Sequence, residues 1–291
     1  SFGAELTIKS YVNYIKEKKP KVIIAQPCPV LVTYVQLYKP QLLPFLAPVD
    51  SPMAHTMKMI REYYPQYNEH KIVVISPCIS KKREFYEIGL GDFNVTYSYL
   101  EKHFEDNNVI LKTYPEIDYI NPSAERGVSF PSPGGLLKTL KRWIPDIDEE
   151  ARKIEDIDQI CSYFSSLPNA ILQDKAPLLI DCLSCPLGCN EGTGTKKNSL
   201  SCDEVEFLVK QRTKEKQKYY KEKFSDSVQE EYQKIIEEYW KKGLYDRTYE
   251  NLALNDGISE PSAEELTKIY SSMLKKSEEE LYNCSSCGYF S

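Results

Sequence analysis

The chain has 291 residues, 27% of them charged, with a formal net charge of -6 and a mean hydropathy of -0.48. That length allows one large core or two smaller ones. The acidic balance argues against nucleic acid as a partner, and no apolar run reaches the ~18 residues of a membrane span. No signal peptide is legible, which predicts a reducing, cytoplasmic setting. There, nine cysteines, an odd number, favour metal ligation or free thiols over disulfides. Ser1 is not an initiator, and the chain stops soon after Cys284 and Cys287, so it reads as a piece of a longer protein.

Residues 5–17 carry Ile8, Tyr11, Val12 and Ile15 on one face, the pattern of an amphipathic helix that Pro20 ends. A strand at 22–24 leads into Gln26-Pro27-Cys28-Pro29. Pro29 suits the first position of a buried helix to Tyr38. Four prolines stiffen the loop that follows, and residues 53–63 form the next helix. A second apolar strand, 72–75, leads into Ser76-Pro77-Cys78. If a helix starts near Lys81, that ammonium lies one turn from Cys78 and can point back at whatever Cys78 binds. Residues 92–120 hold a strand and a short helix. Gly134-Gly135 opens another helix, and tight packing is preferred there over phosphate binding. Residues 157–166 form a helix with Cys161 in its apolar pattern, which reads as a core position.

The stretch 181–195, DCLSCPLGCNEGTGT, follows the apolar run 178–180 and reads as a cysteine-rich hairpin. It holds Cys182, Cys185 and Cys189, with glycines that let backbone approach something bulky. Three strands thus end in cysteine-bearing turns, and in open α/β sheets ligands gather beyond such ends. Structural zinc favours paired knuckles, whereas Cys28 and Cys78 stand alone. Cys182 and Cys185 form a CxxC, so a redox pair stays possible, but singletons plus a late pair suit a cubane on four thiolates. Beyond the loop, Ser201 to Glu204 has the form of a capping box opening a helix to 224. A helix at 228–242 is stopped by Gly243, and a last one spans 262–276.

Three segments together resemble the signature loops of the iron–iron hydrogenase large subunit. These are QPCP around Cys28, SPCISKKRE from Ser76 to Glu84, and LSCPLGCNEG around Cys185 and Cys189. YKPQLLPFLAPVDSPM and PSPGGLLKTL resemble the segments between them, so the likeness covers residues 4–195. It implies an α/β fold of two lobes, each on a small sheet flanked by helices, with the cluster between them; the Glu-, Lys- and Tyr-rich helices beyond residue 200 read as outer wrapping helices at the C-terminal side. It implies a 4Fe–4S cubane on Cys28, Cys78, Cys185 and Cys189, with Cys189 bridging to a diiron subsite carrying CO and CN ligands. Together these make an H-cluster. Lys81 would donate to a cyanide, with Glu84 behind it. The substrates would be H2 and protons, and the partners ferredoxin-like electron donor or acceptor modules and diiron maturation proteins.

The departures fall on the proton path. Active members carry a second cysteine where this chain has Pro27. The relay carboxylates match Tyr11 and Tyr14, and the relay serine matches Ala47. Two methionines match Ser76 and Leu183. Slow turnover or a path through Cys182 or water is therefore expected, as in the divergent, sensory branch. Cys284 and Cys287 fit the start of a further 4Fe–4S module. The expected division is an H-cluster-type domain at 1–200, a helical wrapping extension at 201–280, and that module from 281. The rival readings are a non-catalytic 4Fe–4S protein similar to cytosolic iron–sulfur assembly factors, and an electron-transfer or signalling module.

Overall fold

The computed structural model describes residues 1–196, 200–253 and 261–272. Cys284 and Cys287 lie outside the described residues. The chain runs α1 (Phe2–Lys18), β1 (Ile23–Ile24), α2 (Pro29–Tyr38), α3 (Pro52–Tyr63), β2 (Val73–Ser76), α4 (Lys81–Ile88), β3 (Phe93–Thr96) and α5 (Tyr97–Asp106). It continues with α6 (Gly135–Leu140), β4 (Ala151–Glu155), α7 (Ile157–Leu172), β5 (Leu179–Leu183), α8 (Cys202–Phe224), α9 (Val228–Glu238) and α10 (Ala263–Ser272). The proline-rich loop after α2 contains one 3-10 helix, Pro40–Phe45.

Among the described residues two small parallel sheets form, ordered β1-β5-β4 and β2-β3. In the first, Ile23 pairs with Leu179 and Ile24 with Ile180. Side chains alternate along a strand, so the two faces receive different sets. Ile23 and Leu179 pack with Ile8 and Tyr11 of α1 and Leu136 and Leu140 of α6. Ile24, Ile180 and Cys182 pack on the other face with Leu31 and Val35 of α2 and Ile160 and Phe164 of α7. Both faces are covered, which is why β5 is buried along its whole length, Asp181 included. Burying each of these large side chains contributes roughly 1.5–3 kcal/mol.

A third core joins Phe2 and Leu6 of α1 and Met59 of α3 to Tyr220 of α8, Tyr232 and Ile236 of α9, and Tyr245. The capping box at α8 is formed, with Ser201 and Glu204 bonding reciprocally. Ser262 and Glu265 repeat it ahead of α10.

Several expectations change. The stretch 181–195 is not a hairpin: β5 has parallel neighbours on both sides, and one 3-10 turn, Gly188–Glu191, follows it. Cys182 lies inside β5 rather than in the loop. Helix α7 runs on to Leu172 through Pro168, and Cys161 on it is half-buried rather than in the core. Helix α9 ends at Glu238, before Gly243. At Gly135 packing decides, since a Cβ there would sit 2.2 Å from the Ser129 carbonyl oxygen. Residues 245–252 run back along the first part of the chain: Asp50 N–H donates to the Tyr245 carbonyl, Arg247 N–H to Pro48, and Leu252 N–H to Gln36.

Candidate metal centre

β1 and β5 are adjacent and parallel, so the chain leaves both at the same edge of the sheet. Cys28 follows β1 as the extended residue capping α2, and Ser184 follows β5. Cys28 Sγ lies 3.2 Å from Ser184 Oγ. Cys78 sits beyond the end of β2, in a turn held by two neighbours. Ser76 Oγ donates to the Cys78 carbonyl at 2.9 Å, and Asn94 Nδ2 donates to the same oxygen at 2.9 Å.

The loop carrying Cys185 and Cys189 bridges the two sheets. Cys189 N–H donates to the Pro131 carbonyl at 2.8 Å, and Gly194 N–H donates to the Pro77 carbonyl at 2.8 Å. Ile79 N–H donates to Thr193 Oγ1 at 3.3 Å, and that hydroxyl lies 3.9 Å from Cys78 Sγ. The approach is close enough that a Cβ on Gly192 would sit 2.3 Å from the Pro77 oxygen. Backbone contact therefore fixes the loop of Cys185 and Cys189 against the turn of Cys78.

All four thiols are free. Burial, then the neighbouring Cys28 and Cys78, push the Cys185 thiol up to about 11. Burial pushes Cys189 up to about 12; Cys28, Cys185 and Cys78 add to this and Lys81 opposes it. Cys189 thus feels the other three sulfurs of the set, and Cys185 feels those of Cys28 and Cys78. Crowded thiols that hold their protons when alone become thiolates when a cationic core replaces those protons. Among the described residues, no group of three or more His, Cys, Asp or Glu closes on a single metal ion. A cubane takes a thiolate at each of four irons, so four thiols such as these would be its donor set.

Lys81 opens α4. Its ammonium donates to the Pro27 carbonyl at 2.8 Å and to Glu84 Oε2 at 3.0 Å. Burial opposes its charge, but Glu84, then the Cys189 and Cys78 sulfurs, raise its pKa above the ordinary lysine value. Burial likewise opposes ionisation of Glu84, and Lys81 and Arg247 overcome it and lower its pKa. A cavity of about 1210 Å³ is lined in part by Pro27, Lys81, Leu183 and Cys189.

The family profile described as "Iron only hydrogenase large subunit, C-terminal domain" matches residues 1–193. The chain belongs to this family. Among solved structures it is similar to an FeFe-hydrogenase studied for oxygen inactivation through the 2Fe subcluster of its H cluster. The TM-score is 0.62 at 15% identity, over 87% of this chain and 84% of that one. It is similar to apo HydA1 of Chlamydomonas reinhardtii carrying one substitution (TM-score 0.60, 13% identity, 87% and 84%). It is also similar to HydA(deltaEFG), studied for stepwise H-cluster assembly (TM-score 0.58, 14% identity, 87% and 84%). No curated protein matches by sequence. The α/β architecture with small sheets is that of the iron-only hydrogenases. No helix among the described residues is long and apolar enough to cross a membrane.

Within this iron-only hydrogenase domain, the positions that depart from the family's motifs serve packing and hydrogen bonding. Tyr11 donates to Gln26 Oε1, and Gln26 Nε2 donates to the carbonyls of Val49 at 2.7 Å and Asp50 at 2.9 Å. Tyr14 packs against the core under α1. The Ala47 carbonyl accepts from Tyr249 at 2.7 Å. Cys182 is fully buried, its thiol directed at the Ala25 carbonyl at 3.7 Å, and burial raises its pKa well above the usual range. A buried, protonated thiol is a poor member of a reactive CxxC pair. Sequence reasoning missed Asn94, the Pro131 carbonyl and Arg247. None sits in a cysteine motif, and Arg247 lies 163 positions from its partner Glu84.

Proposed function

We propose that the chain is an H-cluster protein of the iron-only hydrogenase family. In this reading Cys28, Cys78, Cys185 and Cys189 hold a 4Fe–4S cubane, and Cys189 also joins it to a diiron subsite with carbonyl and cyanide ligands. The observation that carries it is the largely buried Lys81 ammonium, which donates at 2.8 Å to the carbonyl of Pro27, next to Cys28, and lines the same cavity as Cys189. When bound, the group supplies reversible cleavage of H2 into protons and electrons. The chain's own part is to anchor and orient. The four thiolates anchor, the Lys81 ammonium is a fixed donor beside them, and Glu84 keeps it charged.

Proton delivery is the weak link. Pro27 carries no transferable proton, and its carbonyl is already bonded to Lys81. Positioned acids and bases contribute typically ~10²–10⁴-fold, so turnover is slow and a sensory role follows, with ferredoxin-like modules as electron partners. Infrared spectroscopy of protein made with the diiron maturation proteins tests this. Carbonyl and cyanide bands are expected, and they are lost in Cys189→Ser. A second reading rests on the same Lys81–Pro27 bond: the ammonium is satisfied by the chain itself, as a cubane-only assembly-factor-like protein would require. Four irons per chain without those bands selects that reading.

A further inference from the structure

Lys81 does not hold its place alone. Glu84 is fully buried and uses one oxygen on Lys81 at 3.0 Å and the other on Arg247 Nη1 at 2.9 Å. Arg247 is itself buried, and its second nitrogen, Nη2, bonds Glu87 one turn further along α4. Its guanidinium stacks over Tyr249, 5.2 Å from the ring centroid, and its backbone N–H is tied to Pro48 at 3.2 Å. A planar fork that meets two carboxylates one turn apart on a helix sets the rotamer of both. Without it, Glu87 would keep only the partly exposed Arg83 as an ion-pair partner, and the buried Glu84 charge would be paired only with Lys81.

We propose that Arg247 is a positioning residue for Lys81, acting through Glu84, so that the segment 245–252 is part of the cofactor site. This rests on the reading of Lys81 as the donor beside the cluster. Arg247 takes one half of the Glu84 charge and leaves the ammonium shared with the Pro27 carbonyl. Removing the guanidinium draws the ammonium towards Glu84 and makes the surroundings of the thiolates more negative. Any displacement of 245–252 has the same effect, which gives an element C-terminal to the site a physical hold on it.

The test uses the full chain and has two arms. In metal-free protein, urea midpoints are measured for R247Q, K81M and the double variant. Linkage through Glu84 makes the two changes non-additive by roughly tenfold in the unfolding constant, and additivity within about twofold overturns the proposal. Should R247Q not fold, the same cycle is run with R247M, which removes the charge but keeps the apolar stem. In the second arm, the parent and Arg247 variants are reconstituted anaerobically with iron and sulfide, and the midpoint potential of the cluster is measured. R247Q lowers the potential, and R247K, which keeps the charge, returns it towards the parent value. An unchanged potential in R247Q with a full complement of iron overturns the proposal. If the parent itself takes up no cluster, the proposed function fails, and the metal-free cycle still decides whether Arg247 and Lys81 are linked.

Discussion

Gly192→Ala is the sharpest probe of how the cysteine loops are held together. Gly192 has φ -62°, a backbone that any residue adopts, so conformational strain contributes nothing. The cost is contact: the new Cβ would lie 2.3 Å from the Pro77 oxygen and 3.1 Å from the Cys189 oxygen. The Pro77 oxygen also accepts the Gly194 N–H at 2.8 Å, so relieving the clash breaks that bond. Overpacking costs typically 1–3 kcal/mol and a lost hydrogen bond about 1, so a loss of roughly 2–4 kcal/mol is expected. At about 2–4 °C per kcal/mol for chains approaching this size, Tm falls by roughly 5–15 °C. The move that relieves the clash separates the loop of Cys185 and Cys189 from the turn of Cys78, so iron bound after anaerobic reconstitution falls well below the parent. Gly243→Ala is the control. Nothing lies within 4 Å of its Cβ, but φ is +82°, so it costs about 1–2 kcal/mol and leaves the iron content unchanged. A Gly192→Ala protein that binds iron and melts like the parent would refute the account of the loop.

Three further outcomes are expected. Cys182→Ala keeps full iron uptake on reconstitution with a modest loss in urea midpoint, because its side chain belongs to the core under α2 and α7; loss of iron would return it to the site. His55 is fully buried, stacked on Tyr245 at 4.5 Å, and burial lowers its pKa to about 3. The unfolded chain therefore takes up that proton near 6.5 and the folded chain does not. The stability from His55 is complete above pH 6.5 and declines as pH falls towards 3, by up to about 5 kcal/mol; urea unfolding across that range shows this component missing from His55→Gln. Ser201→Ala removes the cap of α8 and costs about 1 kcal/mol by thermal melting, with the thiol cluster's iron unaffected.

The legible part of the fold was the part governed by local physics. Apolar runs before Cys28, Cys78 and Cys185, Pro29 at the first position of α2, and Ser201 with Glu204 all act within a few residues. Each appeared where its pattern pointed. The candidate site was legible to the same extent: the cysteine turns and Lys81 are short motifs attached to strand ends. Cys182 misled because a cysteine in a strand and one in a turn look alike in sequence. Which face of β5 it takes depends on the pairing with β1 and the helices that cover each side.

The amino-acid sequence by itself determined that Cys28, Cys78, Cys185 and Cys189 follow strands, and where α2 and α8 begin. The tertiary structure alone decided that Gly192 and Gly194 lie against Pro77 and that Asn94 braces the Cys78 turn. It also decided that Arg247, from the far end of the described chain, grips the carboxylate behind Lys81. Those contacts join residues whose separation along the chain carries no pattern. They exist only because burying three apolar clusters brings distant backbone together, and a charge carried into that interior must meet its partner there.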